Sequence, residues 1–125
     1  MKSLDAHYAK IALQSIQELE KSDEALKTSF GSMCHQFPSM VKLNGLRLTV
    51  AFYESKKENT THAHYLAGLK AALGVSISEN DIPERGAEYR RMTEQALRAS
   101  IWFKRYAEAI LICSPTSDPA REGDV

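Results

Sequence analysis

The sequence predicts an all-α protein, a compact antiparallel bundle of five or six helices ending in a long C-terminal helix. Apolar residues recur at spacings of three and four through most of the 125-residue chain, and no segment alternates with the period of two expected of a strand facing water. The composition, 43% hydrophobic and 26% charged, is that of a chain with an ordinary core. The length suits a single domain, expected over residues 1–112, with a flexible tail over 113–125.

The first helix is predicted from about Leu4 to Leu19, with Ser3 as N-cap and Leu4, Tyr8, Ile11, Ala12, Ile16 and Leu19 forming its apolar stripe. A second begins near Ser22 or Asp23 and is expected to bury Leu26, Phe30, Met33, Cys34 and Phe37. Pro38 suits the first turn of a new, short helix. Asn44-Gly45 lacks alternating flanks and reads as a helix end rather than a hairpin.

A further helix covers roughly Leu46 to Lys57, with Leu46, Thr49, Val50 and Tyr53 in the core and Phe52 at its edge. After the polar loop Glu58-Asn59-Thr60-Thr61, Thr61 is placed to cap a helix with the stripe Leu66, Leu69 and Leu73, ended by Gly74. Residues 75–85 read as an acidic connection containing Pro83. The longest uninterrupted helical pattern runs from Gly86 or Ala87 to Ile112.

No apolar run is long enough to span a bilayer and the start, Met1-Lys2-Ser3-Leu4-Asp5, lacks a signal-peptide core, so a cytoplasmic protein is expected. Two cysteines, Cys34 and Cys113, do not make a disulfide framework and read as small thiols in a reducing compartment. Lys plus Arg equals Asp plus Glu at 16 each, which excludes a global pull toward nucleic acid or membrane. The charge is uneven along the chain. Residues 38–75 hold Lys42, Arg47, Lys56, Lys57 and Lys70 against Glu54 and Glu58, and residues 86–112 hold five cations against Glu88, Glu94 and Glu108.

In the last helix, Tyr89, Met92, Ala96, Ala99, Phe103, Ala107 and Ile110 make one apolar face. Arg91, Arg98 and Arg105 follow at heptad spacing nearly opposite, drifting only about 20° per heptad. The row spans about 21 Å at the α-helical rise, enough to meet several phosphates, and Trp102 lies at its edge, where an aromatic ring can stack on a base. Periodicity alone favours the plainer reading, a solvated face with Glu94 and Glu108 as local partners.

Neither metal nor cofactor binding is expected. His62 and His64 are two apart and diverge on a helix, and Cys34-His35 lacks a second ligand pair. The string Ala63-His64-Tyr65-Leu66-Ala67-Gly68 is similar to that around the phosphorylated residue of histidine-containing phosphotransfer domains. A lysine usually follows that histidine by three residues, but here the position is Ala67, and Lys70 lies at another angle. No phosphate loop, triad or carboxylate pair stands out, so no catalytic residue is assigned.

The segment Phe37-Pro38-Ser39-Met40-Val41-Lys42-Leu43-Asn44-Gly45-Leu46-Arg47-Leu48-Thr49-Val50-Ala51-Phe52-Tyr53-Glu54-Ser55-Lys56 resembles the signature of the small α-helical subunit, the fifth, of the Cmr complex, the type III-B CRISPR effector that targets RNA. The alanine-rich first helix and Trp102-Phe103-Lys104-Arg105-Tyr106-Ala107-Glu108-Ala109 extend the resemblance from Leu4 to Ile112. The small subunit of the sister type III-A complex is the related alternative.

This resemblance implies a non-catalytic subunit present in several copies, stacked beside the backbone subunits that carry guide RNA and lining the groove where target RNA pairs. Expected partners are other Cmr subunits, further copies of the chain, and guide and target RNA, with no membrane. The family transfers no fixed RNA-binding residues. Candidates inside the matching segments are Lys42, Arg47, Lys56, Lys104 and Arg105, and the helical wheel adds Arg91 and Arg98. With zero net charge, one copy is expected to bind RNA weakly, and several copies in register far better.

Overall fold

The computed structural model describes residues 3–56, 60–78, 81–83 and 86–111, and within them the chain is helical with no strand. Five α-helices follow one another: α1 (Leu4–Glu18), α2 (Glu24–Asn44), α3 (Leu46–Ser55), α4 (Thr60–Leu73) and α5 (Ala87–Tyr106). The last continues into a π-helical turn over Ala107–Leu111. Ile112, Cys113 and the expected tail lie outside the described residues, as do Lys57, Glu58 and Asn59.

The first two helices start where their capping residues place them. The Ser3 hydroxyl accepts a hydrogen bond from the Ala6 amide at 3.1 Å, and the Asp23 carboxylate accepts one from Leu26 at 2.8 Å. Each acceptor satisfies an amide that the first turn leaves unpaired.

Pro38 does not open a new helix. It lies inside a continuous 21-residue α2, although its ring supplies no amide hydrogen to the turn before it. An interior proline costs about 3 kcal/mol, which burial of a Phe or Val side chain offsets at about 1.5–3 kcal/mol each. Phe37 and Val41 flank the proline and both are buried, so packing outweighs the local preference.

The break predicted at Asn44-Gly45 is present. Gly45 has φ +88°, a conformation that disfavours any side chain, and its amide donates to the Val41 carbonyl at 2.8 Å to close α2. Helix α3 begins at the next residue and buries Leu46, Thr49, Val50 and Tyr53, with Phe52 exposed. Thr61, expected as a cap, instead sits within the first turn of α4, where it is buried with its hydroxyl 3.1 Å from that of Ser29. The Gly74 amide donates to Lys70 at the end of α4.

The connection after α4 is part of the core. Ile77 and Ile82 are fully buried, and the hydroxyls of Ser76 and Ser78 both donate to the Asp81 carboxylate, which folds the segment back on itself. Two isolated isoleucines among acidic and polar residues carry no periodicity, so the sequence shows only a polar linker. At the other end of α5, the π turn keeps Ala107 and Leu111 buried. Its register is five residues rather than four, which the 3.6-residue pattern does not reveal.

The core centres on Tyr65, whose ring lies 5.1–5.9 Å from those of Phe37, Phe103, Tyr53 and Phe30. Gly68, one turn further along α4, allows three helices to meet. A Cβ there would lie 2.6 Å from the Ser15 hydroxyl and 3.0 Å from the Phe103 ring. The pairs α1/α4 and α2/α5 run antiparallel: Glu18 meets His64, whereas Ile11 and Ala71 share the opposite end of one groove. Likewise His35 meets Glu108 while Lys42 faces Ile101. Helix α1 also packs extensively along α5, joining the first element to the last.

Candidate nucleic-acid interface

Arg91, Arg98 and Arg105 are all exposed on α5, opposite its buried residues Ala96, Ala99 and Phe103. They do not share one environment. Arg91 lines a hollow of about 340 Å³ that it shares with the carboxylates of Asp81 and Glu88 and with the apolar Val75 and Met92. Arg98 reaches across to α1, its Nη2 lying 3.1 Å from Asp5 Oδ2. The Arg105 guanidinium lies 4.9 Å from the centroid of the Trp102 ring.

Trp102 is half-buried and its indole N–H donates to Asp5 Oδ1 at 3.4 Å. The hydrogen bond from Arg98, followed by that from Trp102, holds the Asp5 carboxyl below its ordinary pKa. The ring expected to be an open stacking surface therefore already carries a guanidinium over it.

Three of the sequence candidates converge. Lys42 from α2 and Lys104 and Arg105 from α5 line one cleft of about 420 Å³ with Pro38, Ser39, Ile101 and Glu108. The antiparallel α2/α5 packing brings them together over more than sixty positions of sequence. Lysine ammonium and arginine guanidinium groups around a cleft with a serine hydroxyl are suited to phosphate oxygens. Glu108, expected to pair with the arginines, also borders the cleft but reaches His35 on α2 at 2.9 Å.

The two remaining candidates lie elsewhere. Arg47 Nη1 donates to the Ile82 carbonyl at 2.8 Å, and this half-buried guanidinium ties the connection after α4 to α3. Lys56 is exposed at the end of α3, with its ammonium 5.2 Å from the centroid of the Phe52 ring. Sequence reasoning did not find Ser39 or Asp5 beside the basic groups, or His35 beside Glu108. Only the helix pairing reveals them, since none has a local sequence signal.

The histidines follow the fold. His64 Nε2 lies 3.1 Å from the Ser15 carbonyl oxygen and 3.4 Å from Glu18 Oε1, and its ring meets the edge of Phe30. A phosphoryl group on that nitrogen would approach a carbonyl and a carboxylate with no cation beside it among these contacts, which disfavours phosphotransfer. His62 packs against Tyr53, and burial, with Lys56 nearby, lowers its pKa. Among the described residues no three His, Cys, Asp or Glu side chains form a metal-binding group, and Cys34 is buried. No described helix is long and apolar enough to cross a membrane.

Comparison with known proteins accounts for nearly the whole of this architecture. Residues 4–110 match the model of the CRISPR-associated protein family Cas_Cmr5. The chain is 29% identical over 117 residues to the CRISPR system Cmr subunit Cmr5 of Thermus thermophilus, an alignment covering 89% of this chain and 98% of that protein. It is also similar to the crystal structure of a CRISPR-associated Cmr5 family protein from Thermus thermophilus, with a TM-score of 0.77, 25% identity, and coverage of 88% of this chain and 98% of the other. With its five helices, its α2–α3 break at Gly45 and a match running from the first helix to the π turn, the chain belongs to the Cas_Cmr5 family.

Proposed function

We propose that the chain is a non-catalytic subunit of a type III-B CRISPR (Cmr) effector, stacking in several copies beside the backbone subunits and contacting guide or target RNA through basic side chains. The family match across residues 4–110 carries this reading. The cleft of Lys42, Lys104 and Arg105 supports the RNA contact, because it gathers three cations from two helices on one side of a chain whose formal net charge is zero.

That neutrality shapes the mechanism. A single copy neutralises few phosphates and releases few counterions, so its own affinity is low. Copies held in register by the assembly raise one another's effective concentration along a continuous strand. Base pairing with the guide supplies sequence selection, and the subunit contributes backbone contacts that hold the paired strands in place.

The test is replacement of Lys42, Lys104 and Arg105 by glutamine in the assembled complex, with target-RNA affinity measured against salt concentration. Affinity falls and the salt dependence flattens by about one counterion for each lost phosphate contact. An unchanged affinity and slope with assembly intact would remove the cleft from the interface. Purification of the tagged chain from its native cell should recover other Cmr subunits and guide RNA together.

A further inference from the structure

The arginine row is partly occupied by the protein itself. Asp5, in the first turn of α1, places one carboxylate oxygen 3.1 Å from Arg98 Nη2 and the other 3.4 Å from Trp102 Nε1. Both donors stand on α5, and the carboxylate bridges them from a different helix.

We propose that Asp5 holds, in the free chain, the place of an RNA phosphate, and that a phosphodiester of the bound strand displaces it from Arg98 and Trp102. The inference rests on the RNA-contacting reading above and extends it to a second subsite. A phosphodiester, like a carboxylate, carries two anionic oxygens that can be taken by separate donors, and guanidinium binds both groups in the same way. The Asp5 geometry is therefore a template for the anion this position accepts.

Two further observations support displacement. The side chains of Arg98 and Asp5 are 51% and 48% exposed, so a phosphate reaches them without repacking the core. An ion pair this exposed is screened by water and holds its partners only weakly. When released, Asp5 remains at the N-terminal end of α1, where the helix dipole favours a negative charge. Asp5 is thus easily exchanged for a competing anion and has a favourable place to go.

The subsite adjoins the cleft. Arg105 lines the cleft with Lys42 and Lys104 and lies over the Trp102 ring, so it connects the two sets of donors. A strand seated on Lys42 and Lys104 meets Arg105 and then Arg98 along the same face. Asp5 would weaken binding by any anion that fails to engage the whole run, which makes it a determinant of selectivity as well as an occupant.

The experiment uses the full-length chain at low ionic strength with a labelled oligouridylate as probe. Asp5→Asn removes the competing charge but keeps the shape. It should tighten RNA binding several-fold and steepen the salt dependence by about one phosphate contact. Adding Arg98→Gln to that variant should abolish the gain. Trp102 is the single tryptophan of the chain, so its fluorescence reads the subsite directly. RNA should change the wild-type emission, because the carboxylate at the indole N–H is exchanged for a phosphate, and Arg98→Gln should reduce that change.

If Asp5→Asn binds RNA no more tightly while its thermal melt matches the wild type, the proposal fails. Equal tightening toward polyglutamate would make the position a general acidic-peptide site and overturn its assignment to phosphate. The double variant Lys42→Gln/Lys104→Gln separates this from the parent reading. If binding responds to that pair and not to Asp5, only the displacement is wrong; if it responds to neither, the RNA contact itself is wrong.

Discussion

The phenol oxygen of Tyr89 lies 3.0 Å from the amide nitrogen of Leu46, so a side chain on α5 supplies the acceptor that caps α3. Gly45, which precedes α3, has no side chain to do so. The same hydroxyl lies only 2.8 Å from where a Cβ on Gly45 would sit. The glycine therefore serves both the positive φ of the turn and the close approach of its substitute cap.

Tyr89→Phe should destabilise the protein by about 1 kcal/mol, the usual cost of losing an N-cap acceptor. Gly45→Ala should cost more, because it adds backbone strain at φ +88° and a clash with the phenol. In the double variant the clash is relieved and the strain remains, so the two effects are less than additive. Thermal and urea denaturation of the four proteins checks this.

Two buried tyrosines should respond differently to loss of the hydroxyl. Tyr53 donates to the Met33 carbonyl at 3.1 Å, and Tyr53→Phe should cost about 1 kcal/mol. The Tyr65 hydroxyl is buried with no hydrogen-bond partner among the described residues, so Tyr65→Phe should leave stability unchanged or raise it. A lower melting temperature for Tyr65→Phe than for Tyr53→Phe would contradict this assignment.

Alkali should unfold the chain cooperatively. Burial raises the pKa of Tyr53 and Tyr65 above the ordinary 10.0. Below that value both folded and unfolded states keep the proton; above it the unfolded state loses protons that the native state retains. Stability is therefore fully present below pH 10 and falls as the pH rises past it. Phenolate absorbance from these two residues should appear together with loss of helical circular dichroism, and appearance in a still-folded protein would refute the prediction.

Arg47 should behave as a residue of the fold. Its guanidinium bonds the Ile82 carbonyl, and Arg47→Met should cost about 1–2 kcal/mol, in the range for a partly solvated hydrogen bond to a charged group. Lys56→Ala, at an exposed helix end, should change stability by less than about 0.5 kcal/mol. Denaturation distinguishes these two cations, which their sequence context does not.

Local signals were enough to reveal most of the helices. Ser3 and Asp23 cap as their chemistry requires, and Leu46, Thr49, Val50 and Tyr53 are buried at the spacing that predicted them. The departures are places where a distant partner decides. Pro38 stays helical because Phe37 and Val41 are buried on either side, and Ile77 and Ile82 enter the core without a periodic pattern. Gly68 looks like a weakness inside α4 until Ser15 and Phe103 are seen against it.

The candidate interface was legible in part for the same reason. Helical periodicity gives the exposure of Arg91, Arg98 and Arg105, since it depends only on one helix. The meeting of Lys42 with Lys104 and Arg105, and of Asp5 with Arg98, depends on which helices become neighbours. One sequence contains no direct record of that pairing.

The packing of α1 along α5 also bears on how the molecule is made. While the ribosome has yet to deliver α5, the stripe of Tyr8, Ala12 and Ile16 on α1 lacks the larger of the two helices that pack on it. A helix of 15 residues is marginal in water without such a surface. Completing the core then waits for α5, and a ribosome that stalls before it releases a polypeptide whose first helix is covered only by α4, a substrate for chaperones and proteases rather than a smaller folded protein.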